Sequence, residues 1–254
     1  MQAEIILYLI IFLYGIVIGS FLNVLIYRIP LKENIATERS HCMSCGSQIK
    51  WYDLIPLVSY IILRGRCRNC GSKISIQYPL VEGLNGCGYV LIAMVNGLSW
   101  LCILDCLLLS ILIVVSVIDY KTYEIPISLN IAILILAVIR TILDTGHVLD
   151  HLAGGLIVSG FMLIVLFLGR AWRGIDAFGG GDIKLMAVVG IFTGWKMIIL
   201  AFCTGCILGA VIHSIRMKVT KEGNMLAFGP YLCAGTFLAV IRGQQFLQWY
   251  LGLF

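Results

Sequence analysis

The sequence predicts an all-α polytopic membrane protein of about eight transmembrane helices with a cytoplasmic zinc-ribbon-like loop, and three observations predict it. Of the 254 residues, 60% are hydrophobic and 12% are charged, with a mean hydropathy of +1.00, a composition that soluble domains do not have. The apolar residues come in repeated runs close to the ~20 residues a helix needs to cross a bilayer core. The one long polar stretch, 28–78, carries four cysteines in two matching pairs.

The first apolar run, 5–27, sits where a signal peptide would, but it has no basic start and no small-residue cleavage site, so it is expected to be a retained anchor. Further spans are expected at 79–96, 99–118, 126–143, 149–169, 184–194, 196–215 and 227–241. Gly194-Trp195-Lys196 reads either as a tight turn between two short helices or as a kink in one, which leaves seven or eight spans. The positive-inside rule favours eight. With the 28–78 loop in the cytoplasm and eight crossings, fifteen of the eighteen Lys and Arg residues share its side, against Arg140, Lys196 and Arg242. A single span over 184–215 would put Arg216, Lys218 and Lys221 on the wrong face. The net charge of +5 therefore reports membrane topology, and no nucleic-acid partner is expected. The expected domains are 1–27, the first transmembrane helix; 28–78, the metal-binding loop; and 79–254, a transmembrane bundle.

Within the loop, HCMSCGS and GRCRNCGS place Cys42-x2-Cys45 and Cys67-x2-Cys70 with 21 residues between the pairs. Thiolates at i and i+3 followed by glycine are the knuckles of a zinc ribbon, in which the glycine relieves the turn around a tetrahedral metal. Two disulfides, or four unrelated thiols, are the alternatives, and a reducing cytoplasm disfavours the first. Four thiolates leave no open position, so the expected zinc is structural; about fifty polar residues need such a staple to hold a fold. The remaining cysteines lie in expected spans. Cys203-Thr-Gly-Cys206 among them reads as small residues at a helix contact.

Acids in or beside a bilayer are costly and mark functional sites. The candidates are Glu82, Asp105, Asp119, Glu124 and Asp182. Asp119 closes the third span and Asp182 opens the sixth, so the topology brings both to the cytoplasmic face. Two carboxyl groups close enough to share a proton can hydrolyse a peptide bond, one activating water and the other donating a proton. The glycines before Asp182, in AFGGGD, let an extended substrate approach the acid. The plainer readings are that Asp182 complements a helix N-terminus and that Asp119 pairs with Lys121. Glu124 reads as a loop residue before Pro126, and Asp105 as lying near the outer face. Glu82, one turn into its span, either binds a substrate amine or pairs with a loop arginine, Arg64 or Arg66.

GGGD at 179–182 fits the Gly-x-Gly-Asp motif of intramembrane aspartyl proteases. The wider set, GSFLNVLIYRIP at 19–30, HCMSCGSQIKWYDLIPLVSYIILRGRCRNCGSKISIQYPLVEG at 41–83, IDYKTYEIP at 118–126, FGGGDIKLM at 178–186 and LAFGPYL at 226–232, resembles the type IV prepilin peptidases of the bifunctional leader peptidase and N-methyltransferase type over nearly the whole chain. The resemblance implies a multi-pass enzyme of the bacterial inner membrane, active at the cytoplasmic face. It would cut the basic leader of type IV prepilin or pseudopilin precursors after a glycine and then methylate the new amino terminus with S-adenosylmethionine. It implies Asp119 and Asp182 as catalytic acids, Cys42, Cys45, Cys67 and Cys70 as zinc ligands, and a methyltransferase association for the 28–78 loop. A methyl-transfer role, orienting the acceptor amine, is expected for Glu82. Where the family often has Leu-Pro-Asp after the first acid, this chain has EIPIS at 124–128. No nucleotide-binding fingerprint accompanies the methyltransferase half, since GLNGCG near 83 lies inside a span. A proton or ion transporter with a structural zinc loop is the rival from another class, and a zinc-ribbon adaptor without catalysis is a third.

Overall fold

The computed structural model describes residues 2–35, 39–174, 178–220 and 226–252; Ala177 and Lys221, and residues 36–38 of the polar loop, lie outside them. The described chain is helical: α1 Gln2–Leu31, α2 Val58–Ile62, α3 Gln77–Asn96, α4 Trp100–Thr122, α5 Ile127–Leu143, α6 Val148–Arg173, α7 Gly180–Thr193, α8 Trp195–Thr220 and α9 Gly229–Leu251. Each expected span has its helix, and α2 is a short addition inside the polar loop.

Five of these helices, α1, α3, α4, α6 and α8, are long and apolar enough to cross a membrane. Shorter helices are α5, with 17 residues, and α7, with 14. At 1.5 Å per residue α7 is only about 21 Å long, less than a ~30 Å core. Eight crossings therefore exceed what length and composition establish. The α7–α8 boundary is a turn: Gly194, at φ +81°, ends α7 with its N–H on the Gly190 carbonyl at 2.8 Å, a backbone state that suits glycine. α9 runs ten residues past the expected end at 241, because Gln, Leu and Trp continue a helix that Arg242-Gly243 only interrupts in hydropathy. Outward side chains such as Leu156 (73% exposed), Phe167 (63%) and Ile207 (63%) would be anomalous in water and suit acyl chains.

The chain divides into two compact units, 1–102 and 103–254. In the first, α1 packs on α3 through glycines. A Cβ on Gly15 would lie 2.6 Å from the Gly86 Cα, and one on Gly19 would lie 2.7 Å from the Glu82 Cα. This is the small-xxx-small solution to helix contact where apolar burial gives no driving force. Asn85, fully buried, donates to the Gly15 carbonyl at 2.7 Å, and Asn23 donates to the Tyr78 carbonyl at 3.2 Å.

The second unit repeats the device. Gly154 of α6 and Gly190 of α7 face each other so closely that a Cβ on either would sit 2.1–2.2 Å from the other's carbonyl oxygen. Between α8 and α9, Gly235 abuts the Ala201 carbonyl, and Thr204 donates to the Gly235 carbonyl at 3.5 Å. In the Cys203–Cys206 stretch the contact is thus made by Thr204 and Gly205, while Cys203 is exposed. Asp105 of α4 is ion-paired with Arg140 of α5, whose guanidinium lies 4.5 Å from the Phe192 ring centroid. That pairing accounts for Asp105 as structural.

Candidate active site

Asp119 is 5% exposed and sits one turn before α4 ends. The helix stops there because Tyr123 takes a left-handed conformation at φ +57°, with its N–H on the Asp119 carbonyl at 2.8 Å. For a non-glycine residue that state costs about 1–3 kcal/mol, a strain typical of functional loops. Pro126 then launches α5, so the turn between the two helices is only Tyr123–Pro126. Its Ile125 packs on Gly181, where an added Cβ would lie 3.2 Å from the Ile125 Cβ. The turn that follows Asp119 is in this way fastened to the helix that carries Asp182.

Asp182 is the third residue of α7. Its carboxylate accepts the backbone N–H of Gly179, the back-reaching half of a capping box, at the positive end of the helix dipole. The helix-terminal reading from the sequence is therefore correct in geometry, and it coexists with a place in the cleft. Asp119 Oδ2 accepts the Gly229 N–H at 3.0 Å. A Cβ on Gly229 would stand 2.7 Å from that oxygen, so only glycine lets the start of α9 close over the acid.

Asp119 and Asp182 line one cleft of ≈ 260 Å³, together with Tyr123, Glu124, Ile125, Ile127, Asn130, Gly179, Gly180, Gly181 and Lys184. A Cβ on Gly180 would meet nothing within 4 Å, so backbone is presented to open space there. Glu124, expected as an ordinary loop residue, is exposed on the cleft wall. Two carboxyl groups facing one water-accessible space with bare backbone on one side have the parts for general acid–base hydrolysis of an extended chain. Sequence reasoning assigned no role to Gly229, Ile125 or Asn130. Phe-Gly-Pro at 228–230 does carry a readable sign, since proline in the first turn marks a helix start.

In the first unit, the sulfurs of Cys42, Cys45, Cys67 and Cys70 all lie within 4.8 Å of one another. A tetrahedral zinc with ~2.3 Å bonds needs sulfurs about 3.8 Å apart, and Cys42 and Cys70 stand at 3.9 Å. The two knuckles are built alike. Isolated bridges pair His41 with Gln48 and Arg66 with Lys73, and Gly46 and Gly71 turn at φ +69° and +73°. Backbone N–H groups of Cys45 and Ser44 bring the Cys42 thiol down to about 6 from 9.0, so it offers a thiolate at neutral pH. The donor set fits a metal. Arg68, inside the second knuckle, grips Asp53 with two bonds of 2.9 and 2.7 Å, and this pairing holds the Asp53 carboxyl below its ordinary range.

Glu82 is buried and accepts the Leu57 N–H at 2.8 Å and a bond from the Ser20 side chain. No ion pair joins it to Arg64 or Arg66 among the described residues. Leu57, the residue that caps the start of α2, has φ +59°, which leaves its N–H free to be claimed.

Residues 13–96 match the Bacterial Peptidase A24 N-terminal domain, and residues 106–214 match the Type IV leader peptidase family. Similar curated proteins carry the name prepilin leader peptidase/N-methyltransferase. The one from Stutzerimonas stutzeri is 32% identical, over 93% of this chain and 91% of its own length. The Bacillus subtilis protein is 32% identical over 95% and 97%, and that of Aeromonas hydrophila is 29% identical over 95% and 92%. No solved structure is a significant match.

Proposed function

Because the chain belongs to the type IV leader peptidase family and is an enzyme of it, we propose that it removes the basic leader of prepilin or pseudopilin precursors by an aspartyl mechanism and then N-methylates the new amino terminus. The observation that carries the first half is the shared cleft of Asp119 and Asp182. One carboxylate takes a proton from water as the oxygen adds to the scissile carbonyl. The other, protonated, hands its proton to the departing amine as the C–N bond breaks. Asp119 is oriented by the Gly229 amide and Asp182 by the Gly179 amide, so neither acid needs to reorganise when substrate arrives. The bare backbone at Gly180 allows the extended precursor to approach.

Zinc is the metal proposed for Cys42, Cys45, Cys67 and Cys70. It would cross-link the 28–78 loop and supply no open coordination position. Methyl transfer is proposed from the relatives' name and from the family resemblance, with S-adenosylmethionine as donor. Glu82 is proposed to orient the amine acceptor, in addition to its bond to Leu57. The site is proposed to face the cytoplasm across the bacterial inner membrane, with eight helices embedded in lipid and the three domains divided at 27/28 and 78/79. The transporter reading has no observation of its own, whereas membership of a peptidase family favours hydrolysis. The direct test mixes purified protein with a synthetic precursor spanning the leader junction and weighs the products. Loss of the leader supports the proposal, and an intact precursor refutes it.

A further inference from the structure

We propose that Asn130 is a substrate-positioning residue of this cleft, its side-chain amide pairing with the backbone of the extended precursor beside the scissile bond; the proposal rests on the aspartyl reading above. Asn130 is the fourth residue of α5, 5% exposed, and lines the cleft with Asp119 and Asp182. Its Oδ1 is buried with no hydrogen-bond partner among the described residues.

The other buried asparagines are different. Asn23 and Asn85 both donate to helix carbonyls across the α1–α3 contact, which explains their presence. Asn130 lies between the buried Leu129 and Ile133, where leucine would be the better helix former and the better core residue. A buried carbonyl oxygen left unpaired is destabilising, and native proteins keep few of them. Asn130 lines the same cleft as two acids and the bare backbone of Gly180. A carboxamide has one acceptor and two donors in a plane, so it pairs with both the N–H and the C=O of an extended peptide whatever its side chains. The ligand this fits is polypeptide backbone, and its N–H is the partner that Oδ1 lacks.

The test uses the full-length enzyme, wild type and Asn130→Leu, and precursor peptides each N-methylated at one backbone nitrogen near the junction. Asn130→Leu is expected to keep or raise Tm, because an unpaired buried carbonyl is removed. Its KM should rise about tenfold, equivalent to ~1.4 kcal/mol, with a smaller change in kcat. One N-methyl position that impairs wild type should leave Asn130→Leu unaffected, the coupling expected of groups in contact. If Asn130→Leu does not accumulate, Asn130→Ala serves in the same cycle. Identical N-methyl sensitivities in wild type and variant, an unchanged KM, or a fall in Tm that accompanies the loss of activity would each overturn the proposal. Asp119→Asn runs alongside: cleavage that survives there sinks the acid-pair reading itself, while the N-methyl cycle stays readable.

Discussion

Asp119 Oδ2 and the Gly229 N–H meet at 3.0 Å across 110 positions of sequence, with no room for a side chain between them. The start of α9 therefore belongs to the proposed acid pair's surroundings. Gly229→Ala is expected to force about 1–3 kcal/mol of overpacking and to displace the acid, lowering kcat/KM about hundredfold, as an ångström of misplacement does. Thermal unfolding and a cleavage assay measure both; a fully active, equally stable variant contradicts the contact.

Much of this architecture was legible in the chain. Apolar runs marked seven or eight helices, of which the Lys and Arg distribution favoured eight, and Cys-x2-Cys-Gly spacing marked the thiol cluster. Two acids at the ends of runs pointed to one face. What stayed illegible is long-range contact. Ile125 on Gly181, Gly229 on Asp119 and the orphan at Asn130 depend on how helices far apart in sequence cross, and no local pattern encodes that. Of the two alternatives for Glu82, the arginine partner is not found among the described residues, for a related reason. Charge suggested an arginine, but the left-handed Leu57 presents a backbone N–H, which a sequence pattern does not reveal.

The thiol cluster predicts about one zinc per chain. Cys42→Ser or Cys67→Ser should lower metal content and expose the 28–78 loop to proteolysis. Elemental analysis that finds no zinc, with free-thiol counts unaffected by chelator, contradicts the assignment.

The two proposed activities are expected to separate. Given a precursor and labelled S-adenosylmethionine, Glu82→Gln and Cys45→Ser are expected to cleave at near wild-type rates and to lose most methylation. Joint loss of both activities, or full methylation, rules out a distinct methyl-transfer site around Glu82.

Asp144 and His147 pair at 2.8 Å. Asp144 pushes the His147 pKa up, and His147 pulls the Asp144 pKa down. A raised histidine contributes stability below its unfolded value of 6.5 and loses it as pH rises through the folded value. A lowered carboxylate contributes above its unfolded value of 3.8 and loses it as pH falls through the folded value. The pair is therefore most stabilising between those two values. Because the His147 side chain is 64% exposed, the effect is small: His147→Gln should lower Tm by at most about 2 °C near pH 5 and by nothing at pH 8.5. A deficit as large at pH 8.5 contradicts the ion pair.

The central claim is that two carboxyl groups of one cleft divide the work of base and acid. It is tested most directly by single-turnover cleavage of a synthetic precursor by Asp119→Asn and Asp182→Asn, each checked for a wild-type unfolding transition in detergent. Each variant is predicted to lose about 10²–10⁴-fold in rate, and the wild-type profile to be bell-shaped in pH with limbs that belong to the pair. A folded variant of either kind that cleaves within a few-fold of wild type would contradict it.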